Sequence, residues 1–419
     1  MADSFGTLLR NYRAAADISM GELARRIKYS KGHVSKIEND LKSPTAMFAK
    51  MCDRELATDG ALASAVRRRT APRAGPAPTE DGVWVMALDD TGTLRFDELS
   101  RRQVLAGAGA VLGFAVTRGS RPAIDEPTLA VLRASFDQNR LLGTMTSPTV
   151  VLAPVIAHLH TLRTLAVDSQ GPMRAELLLL ASRVAEYAGW MCQEAGQDDE
   201  ALRWTDRAVA FAGDRDPHLA SFALFRRAEI AMYRHDPIQT VELARRAQHD
   251  QHAGPRILGL AARCEAQGHA LAGDVRGYEQ ALERAADLLA FRDHGTAPVL
   301  GSASVADDVS LVRGWALYDL GRPGAAAEVL DQHVGTIPPA ARRARTRFGA
   351  RRALAHAQHG DIDEACAVAR GVLAEAAQVD SATIRLDLRD LAGTLSRWRN
   401  HGAVRELRPD LVTVLNETR

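Results

Sequence analysis

The sequence predicts a mainly α-helical chain in three parts: a five-helix N-terminal domain, a small β-hairpin connector and a C-terminal array of stacked helix pairs. Three observations carry this. The chain is 46% hydrophobic but only 5% aromatic, and the Ala, Leu and Arg that dominate it lose little on entering a helix. Apolar residues recur at helical spacing, with capping residues between them, through residues 1–70. From about residue 175 a small–Gly–small skeleton recurs at a period that suits a helix pair. With 419 residues the chain exceeds one ordinary domain, and the expected divisions are 1–70, 71–120 and 121–419.

In the head, Phe5, Leu8, Leu9 and Tyr12 share one face of a first helix. Ser19 through Glu22 reads as a capping box, Ser19 the N-cap and Glu22 reaching back, which starts a short second helix carrying Leu23, Ala24 and Ile27. Tyr29-Ser30 makes a turn, and Ser30 caps a third helix through Asn39. Val34 and Ile37 point inward there, leaving Lys31, Gly32, His33 and Lys36 outward. Ser43-Pro44-Thr45 starts a fourth helix, Ala46 to Leu56, and a fifth runs from about Asp59 to Arg69. All five lysines of the chain, Lys28, Lys31, Lys36, Lys42 and Lys50, lie in this stretch. Residues 1–73 carry a net charge of +6 within a chain whose total is +1, so a basic head joins a slightly acidic body. That asymmetry fits contact with nucleic acid at one end.

The text GELARRIKYSKGHVSKIENDLKSPT resembles the Xre/Cro repressor-type helix-turn-helix family, over about residues 5–69. Leu23-Ala24, Ser35-Lys36-Ile37-Glu38 and Pro44 match its pattern, whereas Asp40 stands where the family usually has Gly. Asp tolerates a left-handed conformation less well than Gly, so a slightly altered helix end is expected. The resemblance implies that the third helix enters the major groove, its first turn meeting base edges. Lys31 and Lys36 would suit guanine O6 and N7, and Gly32 would let the backbone approach. His33 would meet a phosphate or a base. Near Ser19 the second helix would present free N–H groups to a phosphate. Arg13, Asn39, Lys42 and Arg25 are candidates for backbone contacts, with solvated surface charge as the alternative.

Ala71 to Gly82 holds Pro72, Pro76 and Pro78 and reads as a linker. Val83 to Leu88 and Thr93 to Phe96 flank Asp89-Asp90-Thr91-Gly92, the pattern of a β-hairpin. Arg101-Arg102 and the apolar run to Val116 look like a twin-arginine signal. That run of about 13 residues is short of the ~20 that span a bilayer, and a buried Gly/Ala-rich helix is the preferred reading.

In the body, small residues stand at Gly189, Ala228, Ala266, Gly314 and Ala353. Seven residues after each come Gly196, His235, Gly273, Gly321 and Gly360, and five further on Ala201, Thr240, Tyr278, Ala326 and Ala365. Two antiparallel helices need a small residue where they cross, a left-handed cap to end the first, and a small residue to seat the second. The skeleton resembles the tetratricopeptide repeat, in degenerate form and with units longer than usual. Residues 125–170 would add earlier helices, and the region from Ile384, with Leu386, Leu388, Leu391, Leu395 and Trp398, would close the far end. Such arrays are expected to bind on a long concave face. In the expected register Arg183, Trp190, Phe225, Arg263, Gln267, Trp315, Tyr318 and Arg347 face that way. The arginines would grip a carboxylate and the Trp residues would anchor apolar groups, although aromatics at helical spacing also serve as core.

No GxSxG, Walker loop, GxGxxG in a strand–helix context or HExxH occurs, so catalysis is not expected. The pairs His249/His252 and His356/His359 lack partners at metal-site spacing, and no metal or other cofactor is expected. Cys52, Cys192, Cys264 and Cys366 are scattered and read as buried thiols of a cytoplasmic protein, without a signal peptide and without membrane association. The head and body together resemble the peptide-responsive regulators of Gram-positive bacteria and many actinobacterial regulators. That resemblance implies a homodimeric transcription regulator on a double-stranded DNA operator. Its body would sense a peptide, protein or small-molecule effector and alter the spacing of two heads. The rival expectation is an interaction scaffold with a localising or degenerate head.

Overall fold

The computed structural model describes residues 4–27, 31–40, 44, 46–56, 58, 61, 62, 65, 82–88, 94–100, 124–249, 253–291, 300, 301, 305 and 308–416. They fall into two compact units, Met1–Thr79 and Glu80–Arg419, and the chain is mainly helical.

The first unit holds α1 (Phe5–Ala15), α2 (Met20–Arg26), α3 (Lys31–Glu38) and α4 (Ala46–Leu56). The apolar stripes read from the sequence meet here: Phe5, Leu9, Leu23, Ile27, Val34, Ile37 and Phe48 form one buried core. Each such side chain contributes roughly 1.5–3 kcal/mol by leaving water. Helix α1 crosses the end of α3 so closely that a Cβ on Gly6 would sit 2.6 Å from the Glu38 carbonyl oxygen. Asp40, at the altered helix end, takes the left-handed conformation with φ 55°. Its carboxylate accepts from the Gly6 N–H at 3.1 Å and the Ser4 hydroxyl at 2.5 Å. An acid in place of glycine thus becomes a second cap on the positive end of α1. Ala61, Leu62 and Ala65 are helical and Leu62 is fully buried. The rest of the expected fifth helix lies outside the described residues, as do the Tyr29-Ser30 turn and residues 41–43.

In the second unit β1 (Gly82–Leu88) pairs antiparallel with β2 (Leu94–Ser100), Val85 standing opposite Asp97. The linker at 71–81, the turn at 89–93 and the segment containing Arg101-Arg102 and the apolar run lie outside the described residues. Next come α5 (Glu126–Gly143) and α6 (Pro148–Asp168), then five pairs. These are α7 (Gly171–Glu194) with α8 (Asp198–Ala212), α9 (His218–Tyr233) with α10 (Pro237–Gln248), and α11 (Pro255–Ala272) with α12 (Val275–Ala290). There follow α13 (Asp308–Asp319) with α14 (Pro323–Val334), and α15 (Arg342–His359) with α16 (Ile362–Val379). Helices α17 (Ala382–Leu395) and α18 (Gly402–Asn416) end the array. Short connections make each pair antiparallel.

The skeleton explains the pairing. Ala228, Ala266 and Ala353 are fully buried, and a Cβ on Gly189 would stand 3.1 Å from the Ala201 carbonyl of its partner helix. Gly196, His235, Gly273, Gly321 and Gly360 all have positive φ. At His235, which lacks glycine's freedom, the end is held by the Asp236 N–H donating to the Ala231 carbonyl at 3.0 Å. First helices then stack in order, α9 on α11, α11 on α13, α13 on α15 and α15 on α17.

The expected open concave face is not what forms. Helix α17 returns to pack on α7, and the α5–α6 loop is tied to the start of α15. The Arg343 N–H donates to the Thr144 carbonyl at 2.8 Å. The Arg343 guanidinium donates to the Gly143 carbonyl at 2.9 Å, the Thr146 carbonyl at 2.6 Å and Glu194 at 3.0 Å. Ser147 donates to Asp380 at 3.1 Å. Residues about 200 apart in sequence therefore clasp the array shut, and its inner face becomes the wall of a cavity. Of the residues expected to close the far end, Ile384, Leu388, Leu391 and Leu395 are buried, whereas Leu386 and Trp398 are exposed.

Candidate nucleic-acid interface and internal cavity

Helix α3 is two-faced. Val34 and Ile37 are buried in the head core, while Lys31, Gly32 and Lys36 are exposed on the opposite side. Both lysines are thus presented to solvent on one helix. The His33 side chain, Ser30 and Lys42 lie outside the described residues.

Arg13 does not join this surface. Its guanidinium grips Glu38 with two bonds, Nε to Oε1 at 2.6 Å and Nη2 to Oε2 at 3.1 Å, and Nη1 donates to the Ile18 carbonyl at 2.9 Å. Its hydrogen bond to Glu38 raises the Arg13 pKa above the usual range, against the opposing effect of burial. Glu38 is buried, and Arg13 serves as its counter-charge. Asn39 is exposed but engaged, donating to the Ser35 carbonyl at 2.9 Å and accepting from Arg10 at 2.8 Å. Arg10 also donates to the Glu38 carbonyl at 2.9 Å, placing a cation at the negative end of α3. Sequence reasoning missed Arg10 and Glu38, although Glu38 lies in the quoted motif.

Ser19 caps α2 by accepting the Glu22 N–H at 3.1 Å. The other half of the expected box is absent: the Glu22 carboxylate turns instead to Arg26, at 2.9 Å, and to Arg25. Two cations one turn away outcompete a single backbone N–H. Arg25 remains well exposed.

Within the second unit, a cavity of about 390 Å³ lies inside the closed array. Arg183, Trp190, Phe225, Arg263, Gln267, Trp315 and Arg347 come together on its wall. Tyr318 does not: it lines a smaller cavity of about 40 Å³ with Asp319, Asp387 and Asp390. The wall also includes Glu186, Arg226, Glu229, Arg343 and Arg351, which sequence reasoning missed. Arg343, Arg347 and Arg351 recur every four residues along α15, a spacing that was legible as one face.

The aromatic groups form a connected lining. Tyr187 meets Trp190 edge-on, with centroids 5.6 Å apart, and Tyr233 lies 5.9 Å from Trp315. Arg351 stacks on the Trp315 ring, donates to Asp387 at 3.1 Å and reaches the Tyr233 hydroxyl at 3.2 Å. Arg183 pairs with Asp216 at 2.5 Å. Arg226 donates to Gln193 at 2.7 Å and pairs with Glu229, while Arg263 stands 3.9 Å from Glu229. Burial pushes the Glu186 carboxyl up, although Arg226, Arg140 and Arg183 pull against it.

Glu194, behind the wall, joins cavity to clasp. It accepts from Arg343 at 3.0 Å, from Arg347 and from Ser381 at 2.5 Å. Burial alone would raise its pKa, but Arg347, Arg343 and Ser381 outweigh that and hold it at about 2.

Among the described residues no cluster of three or more His, Cys, Asp or Glu has a geometry for metal. His356 is engaged between Asp331 at 3.1 Å and Asp361 at 3.4 Å. The four cysteines are buried and unpaired with one another. One described helix, α6, is long and apolar enough to cross a membrane by length and composition. Its Val151, Leu152, Val155 and Leu159 lie in the array core.

A helix-turn-helix domain family matches residues 4–66. No curated protein and no solved structure matches the chain. The chain therefore carries an N-terminal helix-turn-helix domain, a class that supports DNA as a partner and transcription regulation as the role.

Proposed function

We propose that the chain is an intracellular, non-enzymatic transcription regulator of the Xre type, whose C-terminal array is a closed, tetratricopeptide-like sensor. The observation that carries the DNA half is the two-faced α3, with Lys31 and Lys36 exposed around Gly32 inside the matched helix-turn-helix domain. In this reading the start of α3 enters the major groove of an operator, Lys31 and Lys36 donate to base edges, and Arg25 meets a phosphate. Two copies dock on half-sites about one helical turn apart. The cavity supports the sensing half: an effector bound there favours one state of the array and shifts operator affinity by its differential affinity for the two states.

Selection of bound fragments from genomic DNA defines the operator and its half-site symmetry, and binding to that operator tests the reading. Replacing Lys31 and Lys36 with alanine should weaken specific binding by about 1–3 kcal/mol for each base edge left without its donor. The exposed positions leave the fold intact. Binding that stays sequence-independent and merely salt-sensitive would refute an operator role and favour an interaction scaffold.

A further inference from the structure

The wall of the array cavity is built from residues carrying two kinds of polar atom that make no hydrogen bond within the protein. Arg183 and Arg226 are each more than nine-tenths buried, and the Nε of each, a hydrogen-bond donor, has no hydrogen-bond partner. Gln267, 1% exposed, spends its amide N–H on Asp319 and leaves Oε1, an acceptor, without a donor. Such orphans are uncommon in folded interiors, because each costs about 1–3 kcal/mol. Here the three residues that carry them line a single cavity whose wall also holds Trp190, Tyr233 and Trp315.

Charge narrows the occupant further. Seven arginines line the cavity against three carboxylates, Asp137, Glu186 and Glu229. Three further buried carboxylates behind the wall, Glu194, Asp216 and Asp387, pair with Arg343 and Arg347, with Arg183 and with Arg351. Arg226 and Arg263 share Glu229. Arg226 Nε also stands 3.8 Å from Glu186, too far for a hydrogen bond. Seven arginines thus face six carboxylates on and behind the wall, a surplus of one positive charge, while Glu229 and Glu186 beside Arg226 oppose a doubly charged group. A monoanion suits this balance and a phosphate dianion does not. The Trp190, Tyr233 and Trp315 rings ask for a flat apolar body. The volume of about 390 Å³ is at the small end of small-molecule sites, and a fully extended pentapeptide, about 17 Å long, is too long for so compact a space.

We propose that this cavity binds a small aromatic carboxylic acid carrying a ring hydroxyl or N–H: the carboxylate is held by Arg226 and Arg183, the ring by the aromatic wall, and the ring donor by Gln267 Oε1. This deepens the sensing reading above and rests on it only for its biological role; the binding chemistry stands without it.

The test uses the full chain and ligand-observed NMR with titration calorimetry at about 1 mM probe. The probes are 4-hydroxybenzoate and indole-3-carboxylate, their neutral carboxamides, and an octapeptide of mixed composition. Both acids should bind, and each amide should bind at least tenfold more weakly, the loss expected when a charge-assisted bond becomes a neutral one. Arg226→Gln, which leaves Arg183 in place, should weaken the preference for acid over amide. Ala344→Trp, which fills the cavity from α15, should block acid and amide alike while far-UV circular dichroism stays native. If Arg226→Gln does not fold, Ala344→Trp decides the location. Equal binding of acid and amide, binding of the peptide in their place, no binding of either acid, or acid binding unaffected by Ala344→Trp would each overturn the assignment. Acid binding that leaves operator affinity unchanged would uphold it and remove the effector reading instead.

Discussion

Replacing Glu194 with Gln should open the clasp, and the structure sets the size of the effect. Glu194 is 1% exposed and serves Arg343, Arg347, Ser381 and Thr383 together. Glutamine keeps the shape and removes the charge, depriving two buried guanidinium groups of the carboxylate they share, a change that costs about 3–5 kcal/mol. The titration gives a second route to the same figure. A carboxyl moved from its ordinary 4.5 to about 2 contributes on the order of 3 kcal/mol at neutral pH. The native pKa is depressed, so this stability is present above the unfolded value and is lost as pH falls through 4.5 toward 2. Urea unfolding followed by tryptophan emission is a suitable assay, because all five Trp residues, Trp84, Trp190, Trp204, Trp315 and Trp398, lie in the second unit. The difference between wild type and Glu194→Gln should be about 3 kcal/mol at pH 7 and should shrink by about 1.4 kcal/mol by pH 3.5. A difference below about 1 kcal/mol, or one that does not change with pH, would refute a charged clasp.

Arg13→Ala should destabilise the head by about 3 kcal/mol, because it strips buried Glu38 of its bidentate partner. Amide exchange in α1 and α3 reads this, and the exposed Arg25→Ala should leave those rates nearly unchanged. Gly6→Ala places a methyl 2.6 Å from the Glu38 carbonyl oxygen and should cost about 1–3 kcal/mol by the same exchange measurement; unchanged α1 protection would contradict the close crossing. Asp319 is pushed up to about 7 by burial, with Asp387 and Asp390 adding to it and Arg351 opposing. Its charged form is disfavoured in the native state, so wild-type stability should fall as pH rises from 4 to 7. Asp319→Asn should escape that fall, gaining up to about 4 kcal/mol at pH 8 and only about 0.6 kcal/mol at pH 4, as read from urea curves at the two pH values.

Local rules were legible in the sequence wherever one residue type meets one conformational demand. The five left-handed helix ends of the array were marked by Gly, or by His235, seven residues after a small residue. A backbone with positive φ restricts composition strongly enough to be seen through degenerate repeats. The inward stripes of the head were legible for the same reason, since a helix period of 3.6 leaves few positions for Leu23, Val34 or Ile37. Partner choice was not. Arg13 and Arg25 are both arginines beside carboxylates in a basic segment, and only the fold decides that one answers a buried Glu38 and the other a solvated Glu22. The same ambiguity hid the capping box, where Glu22 had one backbone N–H and two arginines to choose between.

Closure of the array was illegible for a different reason. A repeat pattern reports contacts between neighbours, about forty residues apart, and nothing in it encodes the rotation that accumulates from pair to pair. The clasp depends on that accumulated rotation bringing the Gly143–Ser147 loop to Arg343. At Gly143 a Cβ would overlap the Tyr187 hydroxyl oxygen, so the loop must begin on glycine to reach its place. Once the array is shut, inward arginines cannot remain solvated, and each must find a carboxylate, an aromatic face or a ligand. Glu194, Asp216 and Asp387 answer Arg343 and Arg347, Arg183 and Arg351. The donors left over on Arg226 and Arg183 then follow from topology: closure turns a charged groove into a site with more cation than the protein itself neutralises, and that excess is the basis of its selectivity.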